Sequence, residues 1–150
     1  MPIGITSLKI LTDESKEIII SSVLKKANDL EREVCISVYG SQGTELAYFK
    51  MTKAPELCSQ IARDKAYTSA CFGVATTDWQ EILKNEDERV LSGLSQIKGF
   101  MTFGGGIPIL IDGELIGGVG VSGASENEDV MCAQAGVDAF AQLIKNELKP

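Results

Sequence analysis

Two hydrophobic periods alternate along this chain. Ile20, Val23, Ala27 and Leu30 recur at helical spacing and give one apolar stripe over about five turns. Thr12-Asp13-Glu14 opens that helix with an N-cap residue and first-turn acids that complement the helix dipole. The period then falls to two. In "VCISVYG", Val34, Ile36 and Val38 alternate with Cys35, Ser37 and Tyr39, which predicts a strand with two distinct faces. "SQG" turns the chain, with Gly43 available for a positive φ, and "TELAYFKM" returns it as a hairpin.

Helical spacing resumes after Pro55. "PELCSQIARDKAYTSACFG" carries proline at its first turn and Gly73 just past its end, with Cys58, Ile61, Ala62, Lys65, Ser69 and Phe72 on the inward stripe. Thr77-x-x-Gln80 has the form of a capping box for a short helix around Trp79 and Ile82. The charged "KNEDER" reads as a solvated turn, and "VLSGLSQIKG" adds another helical turn. In "GFMTFGGGIPILIDGELIGGVGVSG", apolar runs are broken by a glycine triplet and by Asp112-Gly113, a strong hairpin signal. Ser125-x-x-Glu128 then caps a final helix whose inner stripe is Val130, Ala133, Val137, Phe140 and Ile144. The order is helix, two strands, two or more helices, about three strands, helix. Adjacent hairpins with helices on the sheet's faces make this an α+β layered domain.

Composition narrows the chemistry. A chain of 150 residues, 44% hydrophobic, suits one domain over residues 1–150. A net charge of −7 argues against nucleic acid or anionic lipid as partner. The N-terminus lacks a basic start and a long apolar run, so a soluble cytoplasmic protein is expected. Cys35, Cys58, Cys71 and Cys132 form no C-x-x-C pair; they read as reduced packing cysteines, and no metal site is expected. The chain has no histidine, so catalysis or ligation would fall to carboxylates, Lys, Cys, Tyr or a cofactor.

Gly118-x-Gly120-x-x-Gly123 matches the dinucleotide-binding pattern G-x-G-x-x-G. That motif needs a parallel βαβ unit, and here the glycines lie in a hairpin strand with no room for a second strand after the last helix. Alternation puts Ile116, Gly118, Gly120 and Ser122 on one nearly bare face, opposite Leu115, Val119 and Val121. Either a helix packs tightly there or a flat ligand touches backbone. The triplet Gly104-Gly105-Gly106 is either an anion-holding concavity of N–H groups or a kinked connection into Pro108.

The segments "ARDKAYTSACFG", "FGGGIPILIDGELIGGVGVSG" and "NEDVMCAQAG" together resemble the GlcG/HbpS-like proteins, which include the C-terminal domain of PduO-type cobalamin adenosyltransferases. The resemblance covers nearly the whole chain. It implies a profilin-like, three-layer α/β/α fold with a central antiparallel sheet of about five strands, and assembly into dimers or larger homo-oligomers. It further implies a haem- or corrinoid-type ligand and a link to glycolate, glycerol or propanediol breakdown. Two departures stand out: the family's "DAGG" turn is replaced by "YGSQGTE", and its tetrapyrrole-binding histidines are missing. Imidazole ligation of haem is thereby excluded, which leaves Cys, Met, Tyr or Lys.

Within "RDKAYT", Asp64 and Thr68 lie one turn apart and can meet. Lys65 is the unusual residue. An ammonium in an apolar stripe has a lowered pKa unless it finds a carboxylate or carbonyls, and it either binds an anion or runs its stem through the core to an acidic partner. Glu128 and Asp129 serve first as helix-start charges. The expected site is a pocket for a small organic ligand or cofactor formed by Arg63, Lys65, Thr68, Phe103, Gly104, Gly105, Gly106, Gly118, Gly120 and Ser122. The alternatives are an enzyme for a small carboxylate or hydroxy acid, held by Lys65 or Arg63, and a non-catalytic assembly partner of a catabolic enzyme.

Overall fold

The structure is a computed structural model and describes residues 3–149. Helix α1 (Asp13–Asp29) is followed by strands β1 (Cys35–Gly40) and β2 (Glu45–Lys50), then helix α2 (Leu57–Phe72). A 3-10 turn at Thr76–Asp78 leads into the short helices α3 (Trp79–Ile82) and α4 (Glu88–Ser95). Strands β3 (Gly106–Ile111) and β4 (Glu114–Ser122) and helix α5 (Glu126–Glu147) complete the order. The strands form one antiparallel sheet in the order β2-β1-β4-β3.

Helices α1 and α5 pack together on one face of the sheet, and α2 covers β1, β4 and β3 on the other. The main core lies on the α1/α5 side, where Ile19, Val23, Val34, Ile36, Val38, Val119, Val121 and Ala133 are fully buried. Local chemistry sets the boundaries. The Thr12 side chain accepts from the Ser15 N–H to start α1, and the reciprocal Ser125/Glu128 box starts α5. Asp112 and Gly113, with φ of 49° and 79°, make the tight β3–β4 turn that their dipeptide predicts.

Four expectations are corrected. The sheet has four strands rather than about five, because the segment before the triplet is bound to a helix instead of a strand. Thr68 Oγ1 donates to the Gly99 carbonyl at 2.7 Å and accepts from the Met101 N–H at 2.9 Å. Thr77 caps nothing, since the 3-10 turn begins one residue earlier. Phe72 is exposed, whereas Ser59, Ala66, Thr68 and Ala70 are buried on α2. The fourth concerns Ile116. The register shifts between Ile109 and Leu110, a bulge that turns Ile116 toward Phe140 and Ile144 of α5 and places Leu115 against the end of α2 at Gly73.

Burial governs the thiols. Desolvation first, and then the nearby Asp129 carboxylate, push the Cys132 thiol up to about 11. The fold therefore holds its proton more tightly than the unfolded chain does, so this contribution is complete below the ordinary thiol range and is lost as pH rises from about 9 toward 11. Chemical denaturation of wild type should lose about 2 to 3 kcal/mol more than Cys132→Ala across that window. In native protein at pH 8 a thiol reagent should modify exposed Cys71 quickly and buried Cys35 and Cys132 only on unfolding.

Candidate functional site

The glycines of β4 meet a helix. A side chain on Gly120 would overlap the Ala62 carbonyl and come within 2.9 Å of the Ala66 methyl; one on Gly118 would lie 2.7 Å from the Ala70 nitrogen. Helix α2 thus lies flush on the bare face and fills it. Gly118 and Gly120, expected to touch a ligand, are covered by this helix, and Ser122 is buried on the same strand. With β4 antiparallel to both neighbours, the dinucleotide pattern has no crossover to serve.

Lys65 is fully buried. Its Nζ donates to the Val121 carbonyl at 2.9 Å and to Asp129 Oδ2 at 3.0 Å, with the Phe103 ring 4.9 Å away. Burial pushes the Asp129 carboxyl above the ordinary carboxylate range, opposed by the Lys65 charge and by the Ala124 N–H that it accepts. The glycine triplet wraps this pair. Gly105, at φ 129°, passes so near that a side chain would lie 2.7 Å from Lys65 Nζ. Gly104 N–H donates to Glu126 at 2.7 Å and Gly106 N–H to Thr76 at 2.9 Å. Two of the triplet's N–H groups are therefore satisfied within the protein, and the kinked connection describes it.

Arg63 is also engaged. Its Nε donates to Glu45 at 2.9 Å, its guanidinium stacks 4.0 Å over Tyr48, and Ser37 donates to the same carboxylate at 2.7 Å. Asp64 accepts from Gln60 at 2.7 Å instead of meeting Thr68. Of the ten expected site residues, the structure gathers Lys65, Phe103 and the triplet around Asp129, and it sets Arg63 and Thr68 on other sides of α2.

The sequence reading missed a cleft of about 270 Å³ on the outer side of α2, lined by Tyr39, Gln60, Asp64, Tyr67, Lys98 and Gly99. Tyr67 is 37% exposed, and its ring is clamped between two turns. Side chains on Gly43 and Gly99 would lie 3.1 and 3.0 Å from it. Tyr39 meets it edge-on at 5.9 Å, its phenol pushed above the ordinary range by burial and by Glu45. Neither Lys98 nor Asp64 forms an ion pair among the described residues. The cleft thus offers an aromatic wall, a free ammonium, a carboxylate and an amide.

The model of the family described as haem degrading protein HbpS-like matches residues 11–138. The chain belongs to the HbpS-like family. Among this HbpS-like chain's relatives is the corrinoid adenosyltransferase PduO of Salmonella typhimurium, 33% identical over 79% of the chain and 35% of PduO. The chain therefore spans about a third of that protein's length. An uncharacterised 15.0 kDa protein from the dhaT-dhaS intergenic region of Citrobacter freundii is 30% identical, over 81% of this chain and 86% of its own. A solved PduOC:heme complex is 29% identical with a TM-score of 0.80, covering 87% of this chain and 95% of PduOC.

Tested against haem, the HbpS-like domain does not fit imidazole ligation, since neither this chain nor another copy of it contains histidine. No group of three or more His, Cys, Asp or Glu side chains that would hold a metal ion occurs among the described residues. Cys35 and Cys132 are buried, and the Tyr48 hydroxyl donates to Ser59 at 2.5 Å. In the cleft, Tyr67 supplies an oxygen donor on an aromatic face. A space of about 270 Å³ takes in one edge of a tetrapyrrole rather than the whole ring.

Proposed function

We propose that this domain binds a planar, acid-bearing organic ligand of the haem or corrinoid type in the Tyr39/Tyr67 cleft, and that it serves small-metabolite catabolism in the cytoplasm. The observation that carries this reading is the likeness to PduOC, solved with haem, over most of both chains. The cleft's chemistry supports it. The Tyr67 ring offers a flat face whose orientation is set by the two glycine turns, so little side-chain freedom is lost on binding. Lys98 meets an acid group of the ligand, while Asp64 and Gln60 bind polar edge atoms. Bound haem would supply redox-active iron, for which the Tyr67 hydroxyl is the donor at hand. A small carboxylate would be met by Lys98 in the same cleft, because Lys65 and Arg63 already hold carboxylates.

Titration with haemin and with a cobalamin tests the reading. Haemin should give a saturable, shifted Soret band, and Tyr67→Ala and Lys98→Glu should each weaken binding tenfold or more, about 1.4 kcal/mol. The absence of spectral change with both ligands, or unchanged affinity in both variants, contradicts it.

A further inference from the structure

A second pocket, of about 220 Å³, lies on the α1/α5 side of the sheet, away from the Tyr39/Tyr67 cleft. Leu11, Ile111, Ile116, Phe140 and Ile144 give it apolar walls. The bulge in β3 turns Ile116 toward it, and buried Leu11 makes the segment before α1 one of its sides. Ser15 explains why the space exists. The buried positions of α1 are Ser15, Ile19, Val23 and Ala27, and at the first of them a serine stands where a Leu or Ile side chain would fill the gap.

The polar groups of this pocket share one character. Ser15 is 5% exposed, and its hydroxyl has one partner among the described residues, Thr12 Oγ1 at 3.0 Å. A hydroxyl carries one proton and two lone pairs, so acceptor capacity remains at the pocket wall. Glu147 lines the pocket from an exposed position and forms no ion pair among the described residues. The last carbonyls of α5, which ends at Glu147, add partial negative charge. The cations do not offset this. Lys9 is bound to Glu114, and Lys145, two residues from Glu147, lies on another side of the helix.

We infer that this pocket binds a small organic amine, its ammonium held by Glu147 and its hydrocarbon body lying against Ile116, Phe140 and Ile144. An apolar cavity of about 150 Å³ holds one benzene, so this space takes a body of about nine non-hydrogen atoms. Hexylamine, hexanol and hexanoate share a tail that fits and differ in the head group. In amide NMR titrations at pH 7, hexylamine should bind at about millimolar concentration or tighter, with shifts centred on Leu11, Ser15, Ile116, Phe140 and Ile144. It should bind at least about threefold tighter than hexanol and tenfold tighter than hexanoate. Glu147→Gln, an exposed change that leaves the fold intact, should remove the advantage over hexanol. Ser15→Leu should weaken all three ligands about tenfold or more by filling the space, with thermal unfolding as the check that the domain is folded. Tyr67→Ala should leave hexylamine binding unchanged, which separates this pocket from the cleft. No shifts at about 10 mM hexylamine, or unchanged affinity in folded Ser15→Leu, overturns the site. Hexanoate or hexanol binding as tightly as hexylamine, or a preference that survives Glu147→Gln, overturns the assignment of an amine.

Discussion

Asp129→Ala should cost about 3 to 5 kcal/mol, the loss expected when a buried ion pair keeps one charge and loses the other. Lys65 reaches its two acceptors from a fully buried stem and so ties α2 to the end of β4 and the start of α5. Removing both charges tests the cause. Lys65→Met with Asp129→Leu leaves no uncompensated ion; it leaves the Ala124 N–H without its acceptor, a deficit of about 1 to 3 kcal/mol, and the Val121 carbonyl without the Lys65 donor. Urea denaturation should therefore find the double variant more stable than Asp129→Ala. If the two single costs simply add, the pair is not the coupled unit that the geometry describes.

The second large effect belongs to Gly120. Alanine there should destabilise the domain by about 3 kcal/mol or more, because its methyl would overlap the backbone of α2 and a whole helix would have to lift from the sheet. Gly40→Ala is the matched control on the neighbouring strand. Its methyl would meet only the end of the Leu46 side chain, at 3.4 Å, so the change should stay within about 1 kcal/mol. Equal losses in the two variants would mean that flexibility of the strand, and not the close approach of α2, explains the glycine.

Those two sites show what the sequence made legible. Most short-range signals held, the Thr77 box excepted: Thr12 and Ser125 cap their helices, Gly73 ends α2 and Asp112-Gly113 turns the hairpin, because each acts within a few residues. The bare face of β4 was also legible, but the pattern left open whether a helix or a ligand fills it, and Gly118 and Gly120 were expected in the ligand pocket. Ile116 was misplaced because a bulge resets alternation without changing the residue pattern. The missing fifth strand follows from Thr68, whose hydroxyl holds a segment that its composition alone would allow to pair.

The cleft was hidden for a different reason. Tyr67 reads as an ordinary packing aromatic, and nothing in the spacing tells that the Gly43 turn and the Gly99 turn close on its ring from opposite edges. Lys98 and Asp64 carry no local mark of facing one space. Lys65, the residue whose placement was most unusual, runs its stem through the core to an acidic partner, one of the two readings its pattern allowed. An ammonium in an apolar stripe signals that a partner must exist, but not whether that partner is a ligand or Asp129.

The central claim, that ligand is taken by the Tyr39/Tyr67 cleft and not by the glycine face, is tested most directly by amide NMR spectra of the labelled domain with added paramagnetic haemin. Broadening should centre on Tyr39, Gln60, Asp64, Tyr67 and Gly99 and spare the α1/α5 side. Broadening centred on Gly105, Gly118 and Gly120 or on α1 and α5, or none at saturating haemin, would contradict it.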